Sequence, residues 1–214
     1  IFDLDNTLIA GDSDHSWGEF LIDQKKVNQS EYRAMNDKFL ADYEAEKLDI
    51  SAYLEFSLSP LINMATTELN QLHNKFMAQV IGPMKLSQAN ELIEKHRQSG
   101  DRLLVITATN RLVVEPIISS FGIDEFLATD PEIISGRVTG KVIGSPTFRE
   151  GKVERLKDWL TENNESLEGS YFYSDSINDL PLLQEVDHPI AVDPDDALHK
   201  ESERRGWPII SLRN

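Results

Sequence analysis

Asp3-Leu4-Asp5-Asn6-Thr7-Leu8 sets two carboxylates two residues apart, where an apolar β-run gives way to a turn. Acids in that pattern are poor core residues and are wasted on an open surface. They suit a nucleophile and its acid/base partner. Three later stretches carry matching chemistry: Thr107 closes the β-branched run 103–107, Lys152 opens a helix, and Ser174-Asp175-Ser176-Ile177-Asn178-Asp179 follows the apolar run 171–173. Lys157 is a second lysine near the same place. In a parallel sheet the loops at the carboxyl ends of the strands converge on one crevice, so these distant residues meet. Two like charges about 4 Å apart repel by about 4 kcal/mol at an effective dielectric near 20, so Asp3, Asp5, Asp175 and Asp179 together imply a divalent cation. An all-oxygen ligand set favours Mg²⁺ over zinc or copper.

The pattern around these stretches predicts that parallel sheet. Ala89, Leu92, Ile93 and His96 mark a helical face closed by Ser99-Gly100, and residues 103–107 form a buried strand. A helix follows Asn110 and stops near Phe121-Gly122, with Pro116 as a kink or a later start. Residues 126–128 make a short strand; residues 137–139 and 141–143, flanked by glycines 136, 140 and 144, read as a small hairpin. A helix over 152–160, a strand over 171–173, a short helix after Pro181, a strand over 190–192, then a last helix and a strand ending at Ile210 complete the series.

Nearly a hundred residues separate Asp5 from Leu103, far more than a crossover of about a dozen requires. Tyr32, Met35, Phe39 and Tyr43 recur at helical spacing, as do Leu69, Leu72, Phe76 and Val80. Residues 14–81 are therefore expected to form a helical cap inserted in a core of residues 1–13 and 82–214. The fold class is α/β, a doubly wound, Rossmann-like parallel sheet with an inserted α-helical cap.

Composition narrows the partners. With 37 acidic and 21 basic residues the net charge is −16, which repels nucleic acid and anionic membranes. Zero cysteine excludes disulfides and thiolate chemistry and mildly favours a cytoplasmic location; the five histidines show no i,i+4 pair, against zinc. No run approaches the roughly 20 apolar residues of a membrane span. The chain opens at Ile1 rather than Met, as expected if residues precede it in the natural protein.

Asp3-x-Asp5-x-Thr7, Thr107 after its strand, Lys152, and Asp175 with Asp179 resemble, in order, the four motifs of the haloacid dehalogenase superfamily of phosphohydrolases. A helical insert directly after the first motif is similar to the phosphoserine phosphatase branch. The resemblance implies that Asp3 attacks phosphorus to form an aspartyl phosphate, and that Asp5 is acid and then base. It implies Mg²⁺ on the Asp3 carboxylate, the Asp5 backbone carbonyl and Asp175. Lys152, Thr107 and Asn178 would hold the phosphoryl oxygens, with Asp179 orienting Lys152 or a water on the metal. The second acid, Asp5, marks a phosphatase within that superfamily rather than a dehalogenase or an ion pump.

The resemblance also bears on substrate. Asp12 stands where phosphoserine phosphatases keep the acid that receives the substrate ammonium, and Ser57 aligns with the arginine that binds its carboxylate. Loss of that arginine points to an amino-alcohol phosphate without a carboxylate, with histidinol phosphate leading and phosphoserine as the alternative. Asp14, His15, Trp17 and Glu19 are candidate contacts for an imidazole, while Arg33 could still read a carboxylate. The expected partner is a small phosphorylated metabolite. A phosphoaspartate receiver module also joins an acidic cluster, a Thr and a Lys on such a sheet, but it spans about 120 residues and does not need a cap.

Overall fold

The computed structural model describes residues 1–62 and 64–213. Phe2 bridges in parallel to Val105 of β1 (Val105–Asn110) and to Tyr173 of β4 (Tyr171–Ser174), which puts the first motif at the centre of the sheet. On one side β1 pairs in parallel with β2 (Phe126–Ile134); on the other, β4 pairs with β5 (His188–Val192) and β5 with β6 (Ile209–Ile210). Side chains alternate across these strands. Phe2, Leu4, Val105, Tyr173 and Val192 enter one apolar cluster, while Leu104, Ile106, Phe172 and Ala191 enter another. The sheet is thus covered on both faces.

Helices supply the two covers. From the amino end they are α1 (Ser13–Asp23), α2 (Gln29–Glu44), α3 (Ile50–Leu58) and α4 (Thr66–Phe76). After a π turn at Met77–Ile81 come α5 (Gly82–Met84), α6 (Ser87–Ser99), α7 (Arg111–Ser119), α8 (Glu150–Asn163), α9 (Leu180–Leu183) and α10 (Asp196–Arg205). Ala89 and Ile93 of α6 and Val113, Val114 and Ile117 of α7 pack with Phe2; Leu156 of α8, Leu182 of α9 and Leu198 of α10 pack with Phe172. Local chemistry sets the helix starts: Asp12, Asn28 and Asp49 cap α1, α2 and α3 by accepting backbone N–H bonds of their first turns. Gly100, at φ +83°, ends α6.

Several expectations shift. β1 starts at Val105 and runs on to Asn110, and α7 carries Pro116 without a break. The hairpin differs more. Its turn is Ser135-Gly136, both at positive φ, and residues 137–143 form one strand, β3 (Arg137–Ile143), antiparallel to an extended β2. Gly140 lies inside that strand at a bulge, where a Cβ would come within 2.8 Å of Ile62. On α2 the buried face is carried by Asn36 and Phe39, with Met35 exposed. Asn36 is drawn inward because its amide donates to the His15 carbonyl at 2.9 Å.

α1 and α4 do not stand apart from the sheet's cover. Trp17 and Phe20 of α1 and Phe76 of α4 belong to the same apolar cluster as Val113 and Ile117 of α7. α2 and the start of α3 instead roof the crevice at the strand ends. Among the described residues, no helix is long and apolar enough to cross a membrane.

Candidate active site

Asp3 follows Phe2 directly, its backbone N–H held by the Tyr173 carbonyl at 2.9 Å and the residue only 7% exposed. Lys152 Nζ reaches Asp3 Oδ1 at 2.7 Å and Asp179 Oδ2 at 2.8 Å. Lys152 itself is 2% exposed, which leaves the other Asp3 oxygen for the crevice. The lysine gets there because α8 begins close under the preceding loop. A Cβ on Gly151 would fall 2.0 Å from the Pro146 carbonyl, so only glycine fits beside Lys152. Asp179 also accepts from Ser174 Oγ at 2.7 Å and so anchors the lysine from behind. Lys157 is exposed and pairs with Glu185.

Asp5 is held on both oxygens. Ser13 N–H donates to Oδ1 at 2.6 Å, Thr109 Oγ1 to Oδ2 at 2.9 Å and Thr107 Oγ1 to Oδ2 at 3.5 Å. Asn6, at φ +55°, turns the chain away, and Thr7 Oγ1 donates to Asp175 Oδ1 at 3.0 Å. Asp195 fixes the Asp175 loop by donating its N–H to the Asp175 carbonyl and accepting the Ile177 N–H, both at 2.8 Å.

The electrostatics of this cluster are uncompensated. Burial pushes Asp3 up to about 7, against the pull of Lys152, with Asp179 and Asp5 adding to the rise. Burial and Asp12 push Asp5 up to about 6, and burial together with Asp3 and Asp179 holds Asp175 well above the ordinary carboxylate range. Burial pulls Lys152 down, but Asp179 and Asp3 outweigh it and keep the ammonium charged. One cation among these carboxylates leaves room for another. Asp3, Asp175 and the Asp5 carbonyl offer only oxygen donors, and the residues present fit a hard divalent cation.

A cavity opens over this cluster, lined on the sheet side by Asp3, Asp5, Thr107 and Asp175 and on the roof by Asp12, Asp14, Phe39, Tyr43 and Tyr53. Asp12 serves twice: its Oδ1 caps α1 by accepting from Asp14 and His15 N–H, and the residue still lines the cavity. No lysine or arginine is among the described lining residues.

Other expected contacts fall elsewhere. Trp17, expected at the substrate, is 1% exposed and packs against Phe20, His73 and Phe76, because it projects from the side of α1 that faces α4. Asn178, expected at the phosphate, does not line the cavity. Its Oδ1 accepts from Arg149 Nε at 2.9 Å and its amide donates to the Tyr43 carbonyl at 3.2 Å, so it serves the seam between α2 and the sheet. Ser57 is buried within α3, 3.5 Å from the Leu54 carbonyl, and Arg33 pairs with Glu19 at 2.7 Å outside the cavity. Thr109 and Arg149 were not singled out by sequence. Thr109 shares strand parity with Thr107, a signal that was available.

The haloacid dehalogenase-like hydrolase family matches residues 1–184. A histidinol-phosphatase of Neisseria meningitidis serogroup C (strain 8013) is 45% identical over 217 residues, covering 100% of this chain and 98% of that protein. A crystal structure of a protein of unknown function from Bordetella pertussis Tohama I superposes with a TM-score of 0.93 at 41% identity, covering 99% of this chain and 96% of that one. A substrate-bound phosphoserine phosphatase superposes with a TM-score of 0.72 at 18% identity over 100% of this chain and 92% of its own, which supports the fold.

Proposed function

Since the chain belongs to the haloacid dehalogenase-like hydrolase family and is a phosphatase acting on small phosphorylated metabolites, we propose that it hydrolyses an amino-alcohol phosphate, histidinol phosphate in particular, through an aspartyl phosphate on Asp3. The observation that carries the substrate reading is the cavity wall. Asp12 and Asp14 stand there to meet a cation, and no described lysine or arginine stands there to meet a carboxylate. The 45% identity to a histidinol-phosphatase points the same way. A receiver module would have no use for such a roofed cavity.

In this reading residues 1–13 and 82–214 are the catalytic core and 14–81 the cap that selects substrate. The Asp3 oxygen not held by Lys152 attacks phosphorus in line, forming an Asp3 O–P bond as the P–O ester bond breaks. Asp5, pushed up to about 6, carries the proton that the leaving alkoxide takes up. It then removes a proton from water as that water attacks phosphorus, the Asp3 O–P bond breaks, and inorganic phosphate leaves. Ser13 N–H and Thr109 keep the Asp5 carboxyl aimed through both steps. Lys152 and Thr107 offset charge on the phosphoryl oxygens. Mg²⁺ held by Asp3, the Asp5 carbonyl and Asp175 would supply Lewis-acid neutralisation of that same charge.

The test compares Mg²⁺-dependent phosphate release from histidinol phosphate and phosphoserine, with acid-quenched protein mapped for phosphoaspartate. Preference for histidinol phosphate, label at Asp3 and loss of turnover in Asp3→Asn are expected. Preference for phosphoserine overturns the substrate assignment; full activity in Asp3→Asn overturns the nucleophile.

A further inference from the structure

The roof of the cavity holds a carboxylate that the chemistry at Asp3 leaves unused. Asp14 lies in the first turn of α1, is 8% exposed, and forms part of the cavity wall. The Tyr53 hydroxyl, from α3, donates to its Oδ2; no described side chain donates to its Oδ1. The Tyr53 ring is set edge-on to Phe39, centroids 5.4 Å apart and planes at 68°, which fixes the hydroxyl from α2. Burial pushes the Asp14 carboxyl up to about 7, with Asp12 and Asp5 adding to the rise against the pull of Tyr53. A buried carboxylate with one neutral donor and acids on either side is unfavourable until an N–H group or a cation meets it.

None of the described residues fills that place. His15 is the only basic side chain among the described lining residues, and its Nε2 lies 2.9 Å from Asp37 Oδ1. Asp12 is a separate acceptor, whose Oδ1 is spent on the α1 cap. Leu40, Leu48 and Ile50 line the same roof and offer an apolar wall to a flat body.

We propose that Asp14, oriented by Tyr53, is the specificity-determining residue that receives a second nitrogen-bearing group of the substrate, apart from the ammonium assigned to Asp12. The preferred substrates are then phosphomonoesters with two N–H-donating groups and no carboxylate. This rests on the cavity being the phosphomonoester site. A site built to bond an N–H group discriminates strongly against an analogue that lacks it, because its own acceptor is left unmet.

Phosphoethanolamine shares the phosphate and the ammonium with histidinol phosphate but lacks the arm that carries the second nitrogen group, so a change in the ratio between wild type and variants at Asp14 and Tyr53 reports the contact. The readout is the ratio of kcat/KM for histidinol phosphate over phosphoethanolamine in the wild type, Asp14→Asn and Tyr53→Phe. The ratio is expected to fall about tenfold or more in Asp14→Asn, with a smaller fall in Tyr53→Phe that appears mainly in KM. Equal losses on both substrates in both variants would make Asp14 structural and overturn the inference. Equal kcat/KM for the two substrates in the wild type overturns it as well, while leaving the phosphatase site intact. Wild-type protein that hydrolyses neither removes the underlying substrate reading itself.

Discussion

Replacing Lys152 by methionine removes the only cation that touches Asp3 and Asp179 among the described residues. Each contact is 2.7 Å, a gross attraction of about 6 kcal/mol at an effective dielectric of 20, from which the desolvation of three buried charges must be subtracted. Breaking one side of a buried ion pair typically costs about 3–5 kcal/mol, a large part of the roughly 5–15 kcal/mol that holds a domain folded. Urea unfolding at pH 7 should therefore show Lys152→Met less stable by about 3–5 kcal/mol. Asp179→Asn in the same protein should recover about 1–3 kcal/mol of coupling, because fewer stranded charges remain. The deficit should also grow as pH rises. Asp3 already sits above its unfolded value through burial and loses the opposing pull of Lys152, so it takes up a proton at low pH and loses that relief as pH climbs. Turnover should fall by about 10²–10³, as for loss of a charge-stabilising donor. A stability change under about 1 kcal/mol, with additive behaviour in the double variant, would refute the buried ion-pair reasoning.

Thr109→Val removes the 2.9 Å hydroxyl bond to Asp5, which should lower kcat by roughly 10–100-fold, the equivalent of about 1.5–3 kcal/mol, with Thr109→Ser restoring it. A Val variant within about twofold of wild type in steady-state kinetics would show that Ser13 and Thr107 suffice to aim Asp5. Asp130 is raised by burial, but Arg111 and Arg155 overcome that and hold it below its ordinary value. Its contribution is therefore present above the unfolded carboxylate range and lost as pH falls through the folded pKa. Asp130→Asn should cost about 1–2 kcal/mol at pH 7 in chemical unfolding, and progressively less in acid; a cost independent of pH would reject the pairing.

The sheet and the convergence at its edge were legible because three candidate residues interrupt apolar runs at their carboxyl ends: Asp3 after Phe2, Thr107 after Ile106, Asp175 after the 171–174 strand. One-dimensional patterns carry that signal well. They could not say which flank of α1 faces the cavity, since α1 is buried on more than one side, and so Trp17 was placed at the substrate instead of in the core. Three glycines offered competing hairpin turns; only the pairing partner of residues 137–143 decides between Ser135-Gly136 and Gly140. Asn178 follows the metal-loop pattern in sequence, yet Arg149, remote along the chain, claims its carbonyl. Thr109 lies one strand repeat past Thr107, outside the apolar run 103–107 but inside β1, which extends through Asn110.

The shared apolar packing of α1 and α4 limits how the crevice can breathe. Swinging the whole insertion outward would strip Trp17, Phe20 and Phe76 from their neighbours on α7, at about 25 cal/mol for each Å² uncovered. The end of α2 is fastened to the core more lightly, by Tyr43 to Ser176 at 3.2 Å, Asn178 to the Tyr43 carbonyl at 3.2 Å and Arg149 to the Glu46 carbonyl at 2.9 Å. Such bonds are worth about 0.5–1.5 kcal/mol each and are readily exchanged for water. An aperture that widened by parting α2 from the strand ends would give up these bonds while the apolar seat of α1 and α4 against α7 stayed intact.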